Sequence, residues 1–207
     1  MTILIYRRNM KKYDYYYKIA DIKIHIKIPY KLNVQEESKE FLEDINKEEI
    51  FVEFIDINKP IEVKGKKVFE NIIDVYKVKN RFIHALLLEP KGDAYAWLIP
   101  KNDFHYEVKY LRYKKQYLDY SRNILRVINI EQILNKKYAF MLHSSFIKYK
   151  GKAILFSAPS KTGKSTQADL WNRYEKAEII NGDRAAIRKI DNNWKAYGLP
   201  YAGSSCI

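Results

Sequence analysis

The sequence is poor in the residues that cross-link a chain or anchor it in a membrane. Its one cysteine, Cys206, excludes an internal disulfide, and its four histidines lack the spacing of zinc ligands. No run of about 18 apolar residues occurs, so we expect no membrane span. Residues 1–12 become basic after a short apolar stretch and show no cleavage site, so we expect no signal peptide. These absences favour a cytoplasmic protein.

Acidic residues are also in short supply. The chain has 25 aspartates and glutamates against 38 lysines and arginines, which gives a net charge of +13. Such a charge raises nucleic acid as a partner, because lysine and arginine neutralise phosphates. The lysines are spread along the whole chain, however, and no arginine-rich block or aromatic-basic RNA motif occurs. The distribution therefore disfavours nucleic acid as the main partner. The sequence leaves the oligomeric state open, an oligomer included.

The composition predicts a packed protein with more than one core. Hydrophobic residues make up 47% and charged residues 30% of the chain, the balance of a globular protein. A length of 207 residues suffices for two small cores. We expect a β-rich N-terminal domain over residues 1–115, a connecting helix over 116–137 and a further domain over 138–207.

Strands dominate the prediction for the first domain. From Tyr17 to Tyr30 a strand is predicted, because the isoleucines from Ile22 to Ile28 alternate with lysine and histidine, the period of a half-buried strand. Further strands are predicted over residues 51–57, 61–78, 82–88, 95–99 and 104–113. The region is expected to form a mainly antiparallel sheet, and it contains no catalytic motif. Apolar residues at helical spacing then predict one helix over 119–137.

The last third of the chain carries a phosphate-binding motif. Predicted strands over 140–149 and 153–157 are followed by a loop and a predicted helix over 164–174. The residues from Ala158 to Ser165 fit the pattern G-x-x-x-x-G-K-[ST], with alanine in the first position. Backbone N–H groups of such a loop, with the positive end of the helix behind them, hold a polyphosphate. The predicted nucleotide-binding residues are Ala158, Pro159, Ser160, Lys161, Thr162, Gly163, Lys164, Ser165 and Thr166.

Individual side chains of this segment have chemical roles that fit bound ATP and Mg²⁺. Lys164 is expected to reach the β- and γ-phosphates, and the hydroxyl of Ser165, or less readily that of Thr166, to ligate magnesium. Asp183 follows the next predicted strand and is expected to hold magnesium or to accept a proton. His143, on the strand before the loop, is suited to moving or orienting a proton. Two plainer interpretations stay open: His143 as a hydrogen-bonded core residue, and Asp183 as a turn residue.

Taken together, these residues resemble the catalytic domain of HPr kinase/phosphorylase. The resemblance covers about residues 138–207 and rests on His143, the Lys150-Gly151 turn, the loop from Ala158 to Thr166, and Asp183. It implies an α/β fold, with a P-loop core like that of HPr kinase and phosphoenolpyruvate carboxykinase, preceded here by the mainly β region. It further implies that His143, Lys164 and Asp183 act together in catalysis. The implied reaction passes the γ-phosphoryl group of ATP to a hydroxyl of a protein, a peptide or a small molecule.

The chain departs from that family in two places. Where the family has an acidic pair after the strand, this sequence has Gly182-Asp183, and it stops at Ile207, where the family's core has further strands and helices. We therefore expect a truncated core. The alternatives are a nucleotide-binding protein without transfer activity and a basic nucleic-acid-binding protein.

Overall fold

The second strand of the protein forms because isoleucine alternates along it. A computed structural model describes residues 11–44 and 47–200. Strands β1 (Tyr13–Ile19) and β2 (Ile22–Ile28) pair as an antiparallel hairpin, and the four isoleucines of β2 are fully buried on one face. Its two turn residues, Ala20 and Asp21, both have left-handed backbone conformations. A two-residue hairpin turn of this kind follows the natural twist of its strands.

This hairpin forms one edge of an eight-stranded sheet. The other strands are β3 (Ile50–Ile57), β4 (Lys66–Phe69), β5 (Ile73–Val78), β6 (Arg81–Leu87), β7 (Ala94–Pro100) and β8 (His105–Leu111). Their order is β1-β2-β3-β8-β7-β6-β5-β4. The β2–β3 and β3–β8 pairs are parallel, and the other pairs are antiparallel. Each parallel pair is joined by a long crossover: the first contains α1 (Glu36–Lys39), and the second contains β4 to β7.

Three short helices cover one face of the sheet. A 3₁₀ helix (Arg112–Leu118) leads into α2 (Ser121–Val127) and α3 (Ile130–Lys136). Their apolar residues join the same buried cluster as the isoleucines of β2. The single helix predicted over 119–137 is wrong, because Asn129 takes a left-handed conformation (φ 52°) and its side chain accepts a hydrogen bond from the backbone N–H of Gln132, which starts a new helix.

The remaining described chain forms two three-stranded sheets and one longer helix. The elements are β9 (Ala139–His143), β10 (Ser145–Tyr149), β11 (Lys152–Phe156), α4 (Lys164–Glu175), β12 (Glu178–Asn181), β13 (Arg184–Ile190) and β14 (Asn193–Tyr197). One sheet has the order β11-β10-β12 and the other β14-β13-β9. Helix α4 lies on the first sheet, where Ala168 and Trp171 pack against Ile147. Residues from Tyr201 to the end, Cys206 included, lie outside the described part of the chain.

The expected α/β fold with an HPr kinase/phosphoenolpyruvate carboxykinase-like core is wrong. Strands hold 46% and helices 20% of the structure, and the large sheet is mixed. Between residues 138 and 200, every strand pair of the described chain is antiparallel. The cause is local: β10–β11 and β13–β14 are joined by two-residue turns at Lys150-Gly151 and Asp191-Asn192, all in left-handed conformations. Such turns reverse the chain, whereas an α/β core needs crossover helices between parallel strands. The protein is mainly β.

Within the described residues, no helix is both long and apolar enough to cross a membrane.

A buried histidine makes the stability of the fold depend on pH. His84 on β6 is buried, and its Nδ1 lies 2.9 Å from the Asn129 side-chain amide, which donates to it. Burial lowers the pKa of His84 from its ordinary value of 6.5. The unfolded chain therefore takes up a proton that the folded chain resists, so the free energy of unfolding should fall as the pH decreases through 6.5.

The test is urea unfolding between about pH 7.5 and pH 5.5 for the wild type and for His84→Gln. Glutamine keeps an acceptor for Asn129 but does not titrate in this range. We expect the variant to lose less stability than the wild type on acidification. Equal losses would show that His84 is not the responsible group.

Candidate functional site

The candidate phosphate loop connects β11 to α4, as the sequence predicted. It leaves the strand after Phe156 and enters the helix at Lys164. Two of its residues have positive φ: Lys161 at 65° and Gly163 at 91°. A Cβ added to Gly163 would meet no heavy atom closer than Thr166 Cβ at 4.0 Å, so the backbone conformation, and not crowding, favours glycine here.

The loop holds its shape through its own side chains. The Lys164 ammonium donates to the carbonyl oxygens of Ala158 (2.9 Å) and Pro159 (3.2 Å). The Thr162 hydroxyl donates to the same Pro159 oxygen at 2.7 Å. The positively charged Lys164 side chain therefore lies against a loop whose residues from Ser157 to Thr162 are exposed to solvent.

The start of α4 has the features of an anion site. The helix is 12 residues long, and its N-cap is Gly163, which offers no side-chain acceptor to the first N–H groups. Its first turn contains no acidic residue. The exposed N–H groups and the helix dipole at this end favour a negative charge. Ser165 and Thr166 are exposed in the same first turn, which leaves their hydroxyls accessible.

His143 and Asp183 are in contact at the end of another sheet. His143 Nδ1 lies 3.1 Å from Asp183 Oδ1, and Arg184 Nε donates to Asp183 Oδ2, also at 3.1 Å. The β9–β13 register places His143 directly opposite Arg184. The other side of the Arg184 guanidinium lies 3.6 Å from Glu131 on α3. His143 is 56% exposed and Asp183 is 28% exposed, so solutes can reach both side chains.

A hydrogen bond connects this pair to the phosphate loop. The hydroxyl of Ser157, the first loop residue, donates to the backbone carbonyl of His143 at 3.1 Å. The two sheets are further joined where Ser144 N–H donates to Asp183 O at 2.9 Å and the Ser145 hydroxyl donates to Gly182 O at 3.2 Å. The end of β9, the β12–β13 turn and the beginning of the loop therefore meet. No hydrogen bond or ion pair joins Asp183 to Lys164 or Ser165 within the described chain.

Asn181 positions this site, and the sequence analysis gave it no role. It is 8% exposed, and its side-chain oxygen accepts from the backbone N–H groups of Asp183 (2.9 Å) and Arg184 (3.0 Å). Its amide nitrogen donates to Leu199 O at 3.4 Å. The Asn-Gly-Asp sequence carries the signal, since asparagine commonly bonds the backbone two residues ahead in a turn. Ser157 was missed as well, because a serine hydroxyl that bridges two sheets leaves no pattern in sequence.

The residues present are compatible with magnesium at the loop. No group of three or more His, Cys, Asp or Glu side chains that could hold a metal occurs in the described ranges. Magnesium in nucleotide sites commonly takes only one or two protein ligands, with phosphate and water oxygens as the rest. The exposed Ser165 hydroxyl is one suitable donor. Asp183 is another, since a carboxylate has about four acceptor positions and His143 and Arg184 engage one position on each oxygen.

Comparisons of the chain with protein-family models, with curated proteins and with solved structures return no match. The resemblance to HPr kinase/phosphorylase and the roles assigned to the site residues therefore stay predictions.

The turn that carries Asp183 should depend on the Asn181 side chain. Asn181→Ala removes the acceptor of two backbone N–H groups in a half-buried turn, so the free energy of unfolding should fall by about 1–3 kcal/mol. Urea denaturation measures the loss. The matched control is Asn80→Ala, at the exposed turn between β5 and β6, where a change within about 0.5 kcal/mol is expected. Equal effects of the two substitutions would refute the positioning role.

Proposed function

We propose that this protein is an ATP-dependent phosphotransferase that passes the γ-phosphoryl group to a hydroxyl, an activity like that of HPr kinase but on a mainly β fold. The observation that carries the proposal is the loop before α4. It combines left-handed residues at Lys161 and Gly163, a helix start without a side-chain cap, and a lysine folded over the loop. These features converge on one ligand chemistry, a polyphosphate.

The chain's own groups would divide the work of phosphate binding. Backbone N–H groups of the loop and of the first turn of α4 would donate to phosphate oxygens. Lys164 would release the carbonyls of Ala158 and Pro159 and turn its ammonium towards the β- and γ-phosphates. Ser165 and Asp183 would hold magnesium, which when bound neutralises charge on the phosphates.

The acceptor would be handled by the His143–Asp183 pair. Asp183 faces the Nδ1 atom of His143, so the Nε2 atom is left to accept a proton from an acceptor hydroxyl. Asp183 fixes the ring in that orientation and stabilises the charge that forms. Catalysis in this class depends mainly on positioning and charge neutralisation. The acceptor is a serine of a protein or peptide, or a small molecule, and we assign the activity to the cytoplasm.

One observation supports a second candidate, a nucleotide-binding protein without transfer activity. In the described chain, the Asp183 carboxylate lies beside His143. Each oxygen of this carboxylate already has a partner, His143 or Arg184. Deprotonation of an acceptor is then left to the histidine alone. Nucleotide binding without turnover would identify this candidate.

Binding of ATP should depend on Lys164. We expect calorimetric titration to show magnesium-dependent ATP binding by the wild type, weakened about ten- to a hundredfold in Lys164→Ala, because one charge-assisted contact to phosphate is lost.

The matched control is Lys176→Ala, which removes the same charge at the other end of α4, about 18 Å away by the rise of the helix. Its affinity should stay within about twofold of the wild type. Undiminished binding by a folded Lys164→Ala variant would count decisively against the loop as the nucleotide site.

Turnover should depend on His143 in a way that binding does not. His143→Gln removes the proton acceptor, so ADP formation should fall about a hundredfold or more while ATP affinity is retained. His84→Gln, a histidine change on β6, should leave turnover near the wild-type rate at about pH 7.5. Equal turnover in wild type and His143→Gln would remove His143 from the mechanism, and absence of turnover in an ATP-binding wild type would favour the second candidate.

A further inference from the structure

A groove separates the two three-stranded sheets on the side away from α4. Side chains alternate along β10 and β11, so Ile147 and Ile154 pack under the helix whereas Phe146 and Ala153 line the groove. The opposite wall is β14, from Trp194 to Tyr197. The groove has a volume of about 370 Å³ and is open to solvent.

The groove carries positive charge that nothing nearby neutralises in full. Lys148, Lys152 and Lys195 line it, and no acidic residue is among its lining residues. Lys148 lies 3.8 Å from the Glu178 carboxylate, a distant pairing between two exposed groups. Lys152 and Lys195 have no carboxylate within 4.0 Å in the described part of the chain. Its charge therefore matches an acidic ligand.

Two of the strands that line the groove, β11 and β14, are edge strands. In the described structure, β11 pairs only with β10 and β14 only with β13, so each has an open edge. An open edge presents backbone donors and acceptors to any extended chain, and proteins usually protect it with charged residues or proline. On β11 the first residue is Lys152, and the next four, Ala-Ile-Leu-Phe, offer no such protection. Trp194, 64% exposed, lines the same groove, and its ring meets that of Phe140 on β9 edge to face.

We propose that an acidic polypeptide segment in extended conformation adds as a fourth strand to the open edge of β11 and projects alternate side chains into this groove. Backbone hydrogen bonds to β11 would supply affinity, and carboxylates on the groove side of the segment would face the lysines that line the groove. A second copy of this chain fits poorly, because the net charge of +13 would set lysine rims against each other.

Binding of the acidic segment to β11 does not require nucleotide. In a phosphotransferase it would bring an acceptor towards the candidate phosphate loop. Strand β11 leads from the groove directly into the phosphate loop after Phe156. A chain paired along β11 would therefore reach the loop within about five residues, or roughly 17 Å. Docking would then deliver an acceptor hydroxyl to the end of the strand where Lys164 lies.

The experiment measures fluorescence anisotropy of a labelled peptide of roughly ten residues in which glutamate and valine alternate, titrated with the full chain without ATP. Two further peptides test the mode of binding: one has lysine in place of glutamate, and one has N-methyl groups on alternate backbone nitrogens. We expect the acidic peptide to bind, and the basic and the N-methylated peptides to bind at least about tenfold more weakly.

The variant Lys152→Glu/Lys195→Glu should bind the acidic peptide at least about tenfold more weakly. The control Lys66→Glu/Lys77→Glu changes the charge equally at an exposed cross-strand pair of β4 and β5 and should bind like the wild type. Urea midpoints establish that both variants are folded.

Equal binding of the N-methylated peptide, equal losses in the two variants, or no binding at all would each overturn strand addition. Self-association that competes with the peptide would overturn it in favour of a second copy. None of these outcomes bears on ATP binding, which is measured separately.

Discussion

The structure depends on the burial of one continuous apolar surface that begins with the isoleucines of β2. That face of the large sheet is covered by α2 and α3, and the same cluster includes Ala139, Ala186 and Leu199 from the region around the candidate site. Each fully buried isoleucine contributes about 1.5–3 kcal/mol, so this surface is the main reason why β9 and β13 have fixed positions. Hydrogen bonds from Arg188 to Ala20 O and from Tyr197 to Asp21 attach β13 and β14 to the β1–β2 turn.

This attachment gives the site two differently supported parts. The His143–Asp183 pair stands on strands that belong to the main core, and Asn181 fixes its turn from a buried position. The phosphate loop stands on β11, an edge strand whose sheet shares only a small cluster with α4. The Ser157–His143 hydrogen bond joins the two parts. Movement of the loop relative to the pair is therefore restrained at the first loop residue, while the rest of the loop is free to adapt to a ligand.

The sequence predicted those features that depend on local periodicity and turn chemistry. The alternation at Ile22–Ile28 and the start of α4 at Lys164 are confirmed, because each follows from neighbouring residues alone. The fold class was wrong, since a strand–loop–helix motif fits parallel and antiparallel sheets alike and the two-residue turns decide between them. The strand predicted over 140–149 divides at Ser144, where the chain passes from one sheet to another. Such a switch depends on contacts distant in sequence, as does the role of Asn181.

The candidate phosphate loop contains a residue in a left-handed backbone conformation, Lys161. Among the described residues, the other non-glycine positions with positive φ lie at hairpin turns or helix ends, whereas Lys161 lies inside the loop. A left-handed conformation costs a residue such as lysine on the order of 1 kcal/mol. The bonds of Thr162 and Lys164 to the loop carbonyls offset that cost without any ligand. An anion at the loop would exchange the Lys164 contacts to the Ala158 and Pro159 carbonyls for stronger ones in which both partners are charged. Lys164 therefore both holds the loop together and is the group that a phosphate would engage.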